Sequence, residues 1–198
     1  MTGDQWSDSE LLASLPRQPE LMGVLYERHA LAVFRYLARR AGPTAAEDLL
    51  SEVFIAALNA RKRVVAHGSG SALPWLYGIA INVLHRYFRR SQPTWAQAPE
   101  QGMDWDAVDA RLDAEAQRRR LRAALGTLSE ADRELLLLVA WEGLTSTEAA
   151  AALGISKVAA RSRLHRARHR ALAALSASAG ATDGQSVFMA TAPRKEAS

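Results

Sequence analysis

The sequence contains no cysteine, which removes disulfide frameworks, thiolate nucleophiles and cysteine-based zinc sites together and leaves nothing that needs an oxidising compartment. No apolar run approaches the roughly 20 residues of a membrane-spanning helix. The first residues, MTGDQWSDSELLASL, carry early acids and do not read as a signal peptide. A cytoplasmic location without membrane insertion is the expectation. Catalytic constellations are missing as well. Gly68, Gly70 and Gly78 follow no strand pattern and precede no Gly-Lys-Ser/Thr, so they form no phosphate-binding loop, and no Gly-x-Ser-x-Gly elbow occurs. His165 and His169 have the i, i+4 spacing of a metal-binding helix. Arg166, however, stands where the metalloprotease glutamate belongs, and the neighbouring arginines repel a cation. His29, His67 and His85 are isolated along the chain. Neither enzymatic activity nor a metal or cofactor is expected.

One stretch also lacks acid: no carboxylate occurs between Glu148 and Asp183. Within it, ISKVAARSRLHRARHRALAAL carries Lys157, Arg161, Arg163, Arg166, Arg168 and Arg170. Leu164, Ala167, Ala171 and Leu175 recur at three- and four-residue steps, so one stripe packs on a core while the remaining surface stays charged. Upstream, Thr145 and Glu148 form a capping box for TSTEAAAAL, Gly154 supplies a left-handed turn residue and Ser156 caps the basic helix. Helix, tight turn and basic helix together make a helix-turn-helix, whose second helix suits a DNA major groove in shape and charge. A solvated basic helix is the plainer alternative.

The rest of the chain also reads as helical, and a hydrophobic fraction of 48% is enough for real cores. In the leader, residues 1–19, Ser7 or Asp8 caps a turn through Leu11, Leu12 and Leu15 to which little function attaches. Leu21, Val24, Leu25, Leu31, Phe34 and Leu37 make a helix that Gly42-Pro43 ends. Thr44 with Glu47 reads as a capping box for the next helix, through Leu49, Leu50, Val53, Phe54, Ala57 and Leu58, with Asp48, Ser51, Glu52 and Asn59 on its other face. After the loop VAHGSGSAL, Pro74 suits the first turn of PWLYGIAINVLHRYFRR. This helix mixes Trp75, Tyr77, Tyr87 and Phe88 with Arg86, Arg89 and Arg90. Aromatic faces stack on unpaired bases and arginines hold phosphates. Equally, Trp75, Leu76, Ile79, Ala80, Val83 and Leu84 suit a core, and terminal cations suit the helix dipole.

Residues 92–110 read as an acidic linker with Pro93, Pro99 and Gly102. A helix then runs through Leu112, Leu121 and Leu125 to Gly126. Ser129 and Asp132 open another, carrying Leu135 to Val139 and Trp141 to Gly143. Residues 177–198 have no sustained period and read as a disordered tail. The expectation is an all-α fold of two small helical domains, residues 20–91 and 111–176, joined by a flexible acidic linker, with the helix-turn-helix in the C-terminal one.

In this arrangement the chain resembles the sigma-70 family of bacterial RNA polymerase initiation factors, in its compact extracytoplasmic-function group. LYERHALAVFRYLARRAG and AEDLLSEVFIAAL are similar to the first part of sigma region 2, and PWLYGIAINVLHRYFRR to its promoter-melting, minus-10-reading helix. LRAALGTLSEADRELLLLVAWEGLTSTEAAAALGISKVAARSRLHRARHRAL is similar to region 4. The resemblance implies a factor that binds core RNA polymerase, recognises the minus-35 and minus-10 elements of promoter DNA, promotes melting and is held by an anti-sigma factor.

It also implies roles for residues. Asp48, Leu49, Glu52 and Phe54 would lie at or beneath the surface that docks on a coiled coil of the largest polymerase subunit. Asn82 would help hold a flipped minus-10 base, offsetting an unstacking cost of about a few kcal/mol, beside a pocket loop at His67 to Ser71. Arg86, Tyr87, Arg89 and Arg90 share that DNA-facing helix. Minus-35 contacts would fall on Lys157, Arg161, Ser162, His165 and Arg166. Asp104, Asp106 and Asp109 of the linker would stand in for RNA phosphate in a basic polymerase channel. Two rival readings remain: a conventional helix-turn-helix regulator that binds duplex DNA as a dimer without polymerase, and an interaction protein that binds polymerase or an inhibitor without promoter activity.

Overall fold

The computed structural model describes residues 6–64, 70–91 and 111–189, excepting the side chains of 91, 111–116 and 178–189. The linker carboxylates Asp104, Asp106 and Asp109, and residues 65–69 of the loop, lie outside that set. Every regular element among the described residues is helical: α1 (Asp8–Ser14), α2 (Met22–Ala41), α3 (Pro43–Ala60), α4 (Leu73–Ser91), α5 (Arg111–Gly126), α6 (Glu130–Ala140), α7 (Ser146–Ala152) and α8 (Lys157–Met189), with 3-10 turns at Pro19–Leu21 and Arg61–Arg63. Packing sorts the chain into two compact units, Met1–Trp105 with Leu138–Ala160, and Asp106–Leu137 with Arg161–Ser198.

In the first unit α2 packs on α3, and α4 packs on α2, α3 and α7. The buried side of α2 is Met22, Leu25, Val33, Tyr36, Leu37 and Arg40. This phase differs from the sequence-based stripe, since Leu31 is 59% exposed. Val24 and Leu25, Val33 and Phe34, and Tyr36 and Leu37 are adjacent apolar pairs, so composition alone leaves the phase of this helix open. Gly42 turns the chain into α3 with φ +83° and Pro43 takes the first helical position. The expected Thr44/Glu47 capping box is therefore corrected. The helix starts two residues earlier, with Gly42 in place of Thr44 at the cap, Thr44 lies inside its first turn, and no side chain caps it.

The leader does form a capped helix. Ser7 Oγ accepts the Glu10 N–H while the Glu10 carboxylate accepts the Ser7 N–H. Leu11, Leu12 and Leu15 are almost wholly buried, each contributing about 1.5–3 kcal/mol of apolar burial.

Gly78 sits where α4 meets α7. A Cβ there would stand 2.9 Å from the Ala152 carbonyl oxygen, a backbone atom that cannot swing away. Alanine ordinarily stabilises a helix by about 1 kcal/mol over glycine. At this position overpacking outweighs that gain, and Gly78→Ala is expected to destabilise the protein by about 1–2 kcal/mol in urea denaturation. A variant more stable than the wild type would refute the close approach.

The second unit is held by Leu128, Ala167 and Ala171, with Leu125 and Leu136 packed against them. Arg133 closes the α5–α6 turn, donating from Nε to the Leu125 carbonyl at 2.9 Å and from Nη2 to that of Leu128 at 3.3 Å. The Leu125 carbonyl, in the last turn of α5, also accepts the Leu128 N–H, and the Leu128 carbonyl lies in the turn beyond the helix, so Arg133 ties the two together. Helix α8 continues to Met189, beyond the end expected near Leu175 and into the stretch read as a tail. The segment after Ser176 is alanine-rich and has no proline before Pro193, so nothing in its covalent chemistry stops a helix already nucleated upstream.

Candidate nucleic-acid interface

The helix-turn-helix is built by local rules. Thr145 Oγ1 accepts the Glu148 N–H at 3.2 Å, and the Glu148 carboxylate accepts the Thr145 N–H at 2.7 Å. At the other end of α7 the Gly154 N–H bonds Ala151 O and the Ile155 N–H bonds Ala150 O. With Gly154 at φ +64°, this is a Schellman turn, and it needs the left-handed residue. Ser156 Oγ then accepts the Ala159 N–H at 3.1 Å and starts α8.

On α8, Ala160, Leu164, Ala167 and Ala171 form the buried stripe. At about 100° per residue, Arg161, Ser162, His165 and Arg166 fall on the other side of the helix, and all of them, with Lys157, are exposed. Val158, 76% exposed, lies in the middle of that cationic face. The sequence reading passed over it, although a β-branched residue in the first turn of a basic helix was a visible signal. Such a side chain is suited to a thymine methyl. His165 and His169 meet edge to face, ring centroids 4.4 Å apart. Among the described residues no group of three or more His, Asp or Glu is placed to hold a metal.

Helix α4 divides its residues between core and surface. Leu76, Ala80, Val83 and Leu84 are buried. Asn82, Arg86, Arg89 and Arg90 are exposed, and Tyr87 and Phe88 are half-buried in edge contact. Asn82 Nδ2 donates to the Gly78 carbonyl at 3.0 Å. Tyr77, grouped from sequence with base-stacking aromatics, is instead a core residue: 2% exposed, its ring is 5.0 Å from that of Tyr36 and its hydroxyl donates to Glu142. Burial, and then the Glu142 charge, push its pKa well above the ordinary tyrosine value, so the phenol stays neutral.

On α3, Asp48 and Glu52 are exposed, while Leu49 and Phe54 are buried beneath them. Phe54 packs edge-on against Tyr26 at 4.8 Å. Ile55, 61% exposed, shares the face of Asp48 and Glu52, and Tyr26 is also exposed. Sequence reasoning overlooked both, because Ile55 was not recognised as sharing the acidic face.

Two buried ionic clusters hold this scaffold. Glu142, its side chain 4% exposed, takes two Arg39 Nη2 contacts at 2.5–2.6 Å and lies 3.7 Å from Arg40, which itself stacks 3.7 Å over the Tyr36 ring. Asp8 accepts from His29 Nε2 at 2.6 Å, the Ala72 N–H at 2.8 Å and Arg28 Nη1 at 3.2 Å. Burial raises the Asp8 pKa, but the Ala72 N–H, the His29 charge and the Arg28 bond outweigh it and hold the carboxyl below its ordinary value of 3.8. Because the folded value is the lower one, this stabilisation is present above pH 3.8 and lost as pH falls through the folded pKa. The stability gap between wild type and Asp8→Asn should therefore narrow on acidification below that range. Urea midpoints measured across pH 6 to 2 provide the check, and a gap independent of pH would contradict it.

Two family models match the chain: sigma-70 region 2 over residues 25–94 and sigma-70 region 4 over residues 118–175. RNA polymerase sigma factor CarQ of Myxococcus xanthus is 36% identical over 145 residues, 72% of this chain and 82% of that protein. The chain belongs to the sigma-70 family, in its extracytoplasmic-function group. This sigma factor is also 28% identical over 148 residues to ECF RNA polymerase sigma factor SigL of Mycobacterium tuberculosis, covering 73% of this chain and 83% of that one. Among solved structures it is similar to CnrH, in complex with the cytosolic domain of CnrY, with a TM-score of 0.59 and 25% identity over 86% of this chain and 97% of that one. It shares the fold of the sigma factor RpoE from Bartonella quintana, solved with the anti-sigma factor NepR, at a TM-score of 0.52 and 22% identity, covering 77% of this chain and 97% of that one. The all-α architecture and the family agree with the sequence reading. No described helix is long and apolar enough to cross a membrane.

Proposed function

We propose that this transcription-initiation sigma factor docks on core RNA polymerase through α3, anchors the minus-35 duplex with α8 and holds open the minus-10 region with α4. Asp48 and Glu52, with Ile55 beside them and Leu49 and Phe54 beneath, offer an acidic, partly apolar surface to an arginine-bearing coiled coil. Lys157, Arg161, Ser162, His165 and Arg166 face the major groove, where an arginine pairs bidentately with guanine O6 and N7 while phosphate contacts set register. Asn82 takes the flipped base, with Arg86, Tyr87, Arg89 and Arg90 holding the strand around it. Its work is binding; the phosphodiester chemistry belongs to the polymerase. Two of the similar folds were solved in complexes, one of them with an anti-sigma factor, which supports an anti-sigma factor as a further partner and a cytoplasmic site of action.

The observation that carries this reading is the pair of exposed cationic faces, on α4 and on α8, in one chain matched by both region 2 and region 4. The test is transcription in vitro by core polymerase plus this protein, with the transcripts sequenced. Defined start sites sharing two upstream elements are expected. Tight operator binding without polymerase and no start-site selection would favour a conventional regulator instead.

A further inference from the structure

The leader helix α1 lies ahead of the region 2 match, which begins at residue 25, yet its first residue is tied to the start of α4. Asp8 accepts the Ala72 N–H across 64 residues of sequence, at 2.8 Å. Ala72 is where α4 enters: its carbonyl already accepts the Leu76 N–H, so its own N–H belongs to the donors that a helix start leaves without helical partners. A carboxylate there also meets the positive end of the α4 dipole. The same carboxylate, 11% exposed, is gripped from α2 by His29 and Arg28, and Arg28 donates again to the Trp6 carbonyl at 2.7 Å. Leu11, Leu12 and Leu15 follow Asp8 by three, four and seven residues, so they are buried along the same face of α1. The entry point of α4 is thus clamped by a side chain outside the element and outside the family match.

We propose that Asp8 is a positioning residue for strand opening, setting the direction of α4 and thereby the placement of Asn82; this rests on the reading of α4 given above. Asn82 follows Ala72 by ten residues, about 15 Å along the helix, so a tilt of about 4° at the entry displaces it by about 1 Å. A binding constellation tolerates about 0.5 Å.

The test separates closed-complex affinity from the isomerisation rate to open complexes, using the full chain with core polymerase on a promoter recovered from the sequenced transcripts. Asp8→Ala should slow isomerisation about tenfold with closed-complex affinity within about twofold, the pattern of a misplaced contact rather than a lost one. Asp8→Asn, whose amide oxygen still accepts from Ala72, should recover most of the rate. Leu15→Ala, which loosens the leader about two helical turns away from the clamp, should reduce only the active fraction. A normal rate with reduced amplitude for Asp8→Ala, or equal slowing by Leu15→Ala, would make Asp8 a mere fastener and overturn the proposal. Wild-type protein that forms closed but no open complexes would overturn the reading of α4 itself, and the Asp8 role with it.

Discussion

Glu142→Ala is expected to lower folding stability by about 3–5 kcal/mol, the range for removing one partner of a buried ion pair. The carboxylate is 4% exposed and faces Arg40, 6% exposed, and Arg39, 24% exposed. Without it, the desolvated Arg40 charge keeps the Tyr36 carbonyl and ring but loses its neighbouring countercharge. The Tyr77 hydroxyl, buried beside it, loses an acceptor as well. The cost is therefore the desolvation of groups left behind, not the strength of the pair as such. Arg39→Ala should cost less, about 1–2 kcal/mol, because that side chain keeps a quarter of its exposure and leaves Glu142 beside Arg40. Urea denaturation with an unchanged slope measures both. If Glu142→Ala cost below about 1 kcal/mol, the buried cluster would not be stabilising in the manner described.

Arg161→Ala should leave stability within about 0.5 kcal/mol, since the side chain lies on the exposed face of α8, but should reduce promoter-specific run-off transcription about 5- to 150-fold. That range corresponds to the roughly 1–3 kcal/mol of a bidentate base contact. Two further measurements separate base reading from phosphate binding. Lysine at 161 keeps the charge but not the fork, so Arg161→Lys should remain defective if the contact is to a base. The salt dependence should likewise stay unchanged for a base contact, whereas loss of a phosphate contact lowers the slope by about 1. Asn82→Ala should act at a different stage, sparing closed-complex affinity and slowing opening. Wild-type initiation by both alanine variants would sink the residue assignment on both helices.

The helices, their caps and the helix-turn-helix were legible because their causes are local. Thr145, Glu148, Gly154 and Ser156 act on backbone groups within a few residues, and α8's buried stripe follows from its own periodicity. The exposed cationic face of α8 was legible for the same reason: once Ala160, Leu164 and Ala167 are inward, Arg161 and His165 point out. Helix α3 shows the limit of such rules. Thr44 and Glu47 have the spacing of a capping box, but Gly42 and Pro43 offered an earlier start, and a fixed proline φ with a glycine cap prevailed.

What the sequence determined by itself was the all-helical class, the turn chemistry, the basic face of α8 and the membership of the sigma-70 family. Tertiary structure alone decided the rest: that Tyr77 belongs to the core, that Arg40 is buried, that Leu31 faces out, and that Asp8 reaches Ala72. The physical reason is distance along the chain. A carboxylate's burial and charge depend on partners 64 or 103 residues away, and no local pattern says which of several arginines a glutamate will meet. The leader, which by its sequence looked like a minor appendage, acquires its part only where folding brings Asp8 to the start of α4.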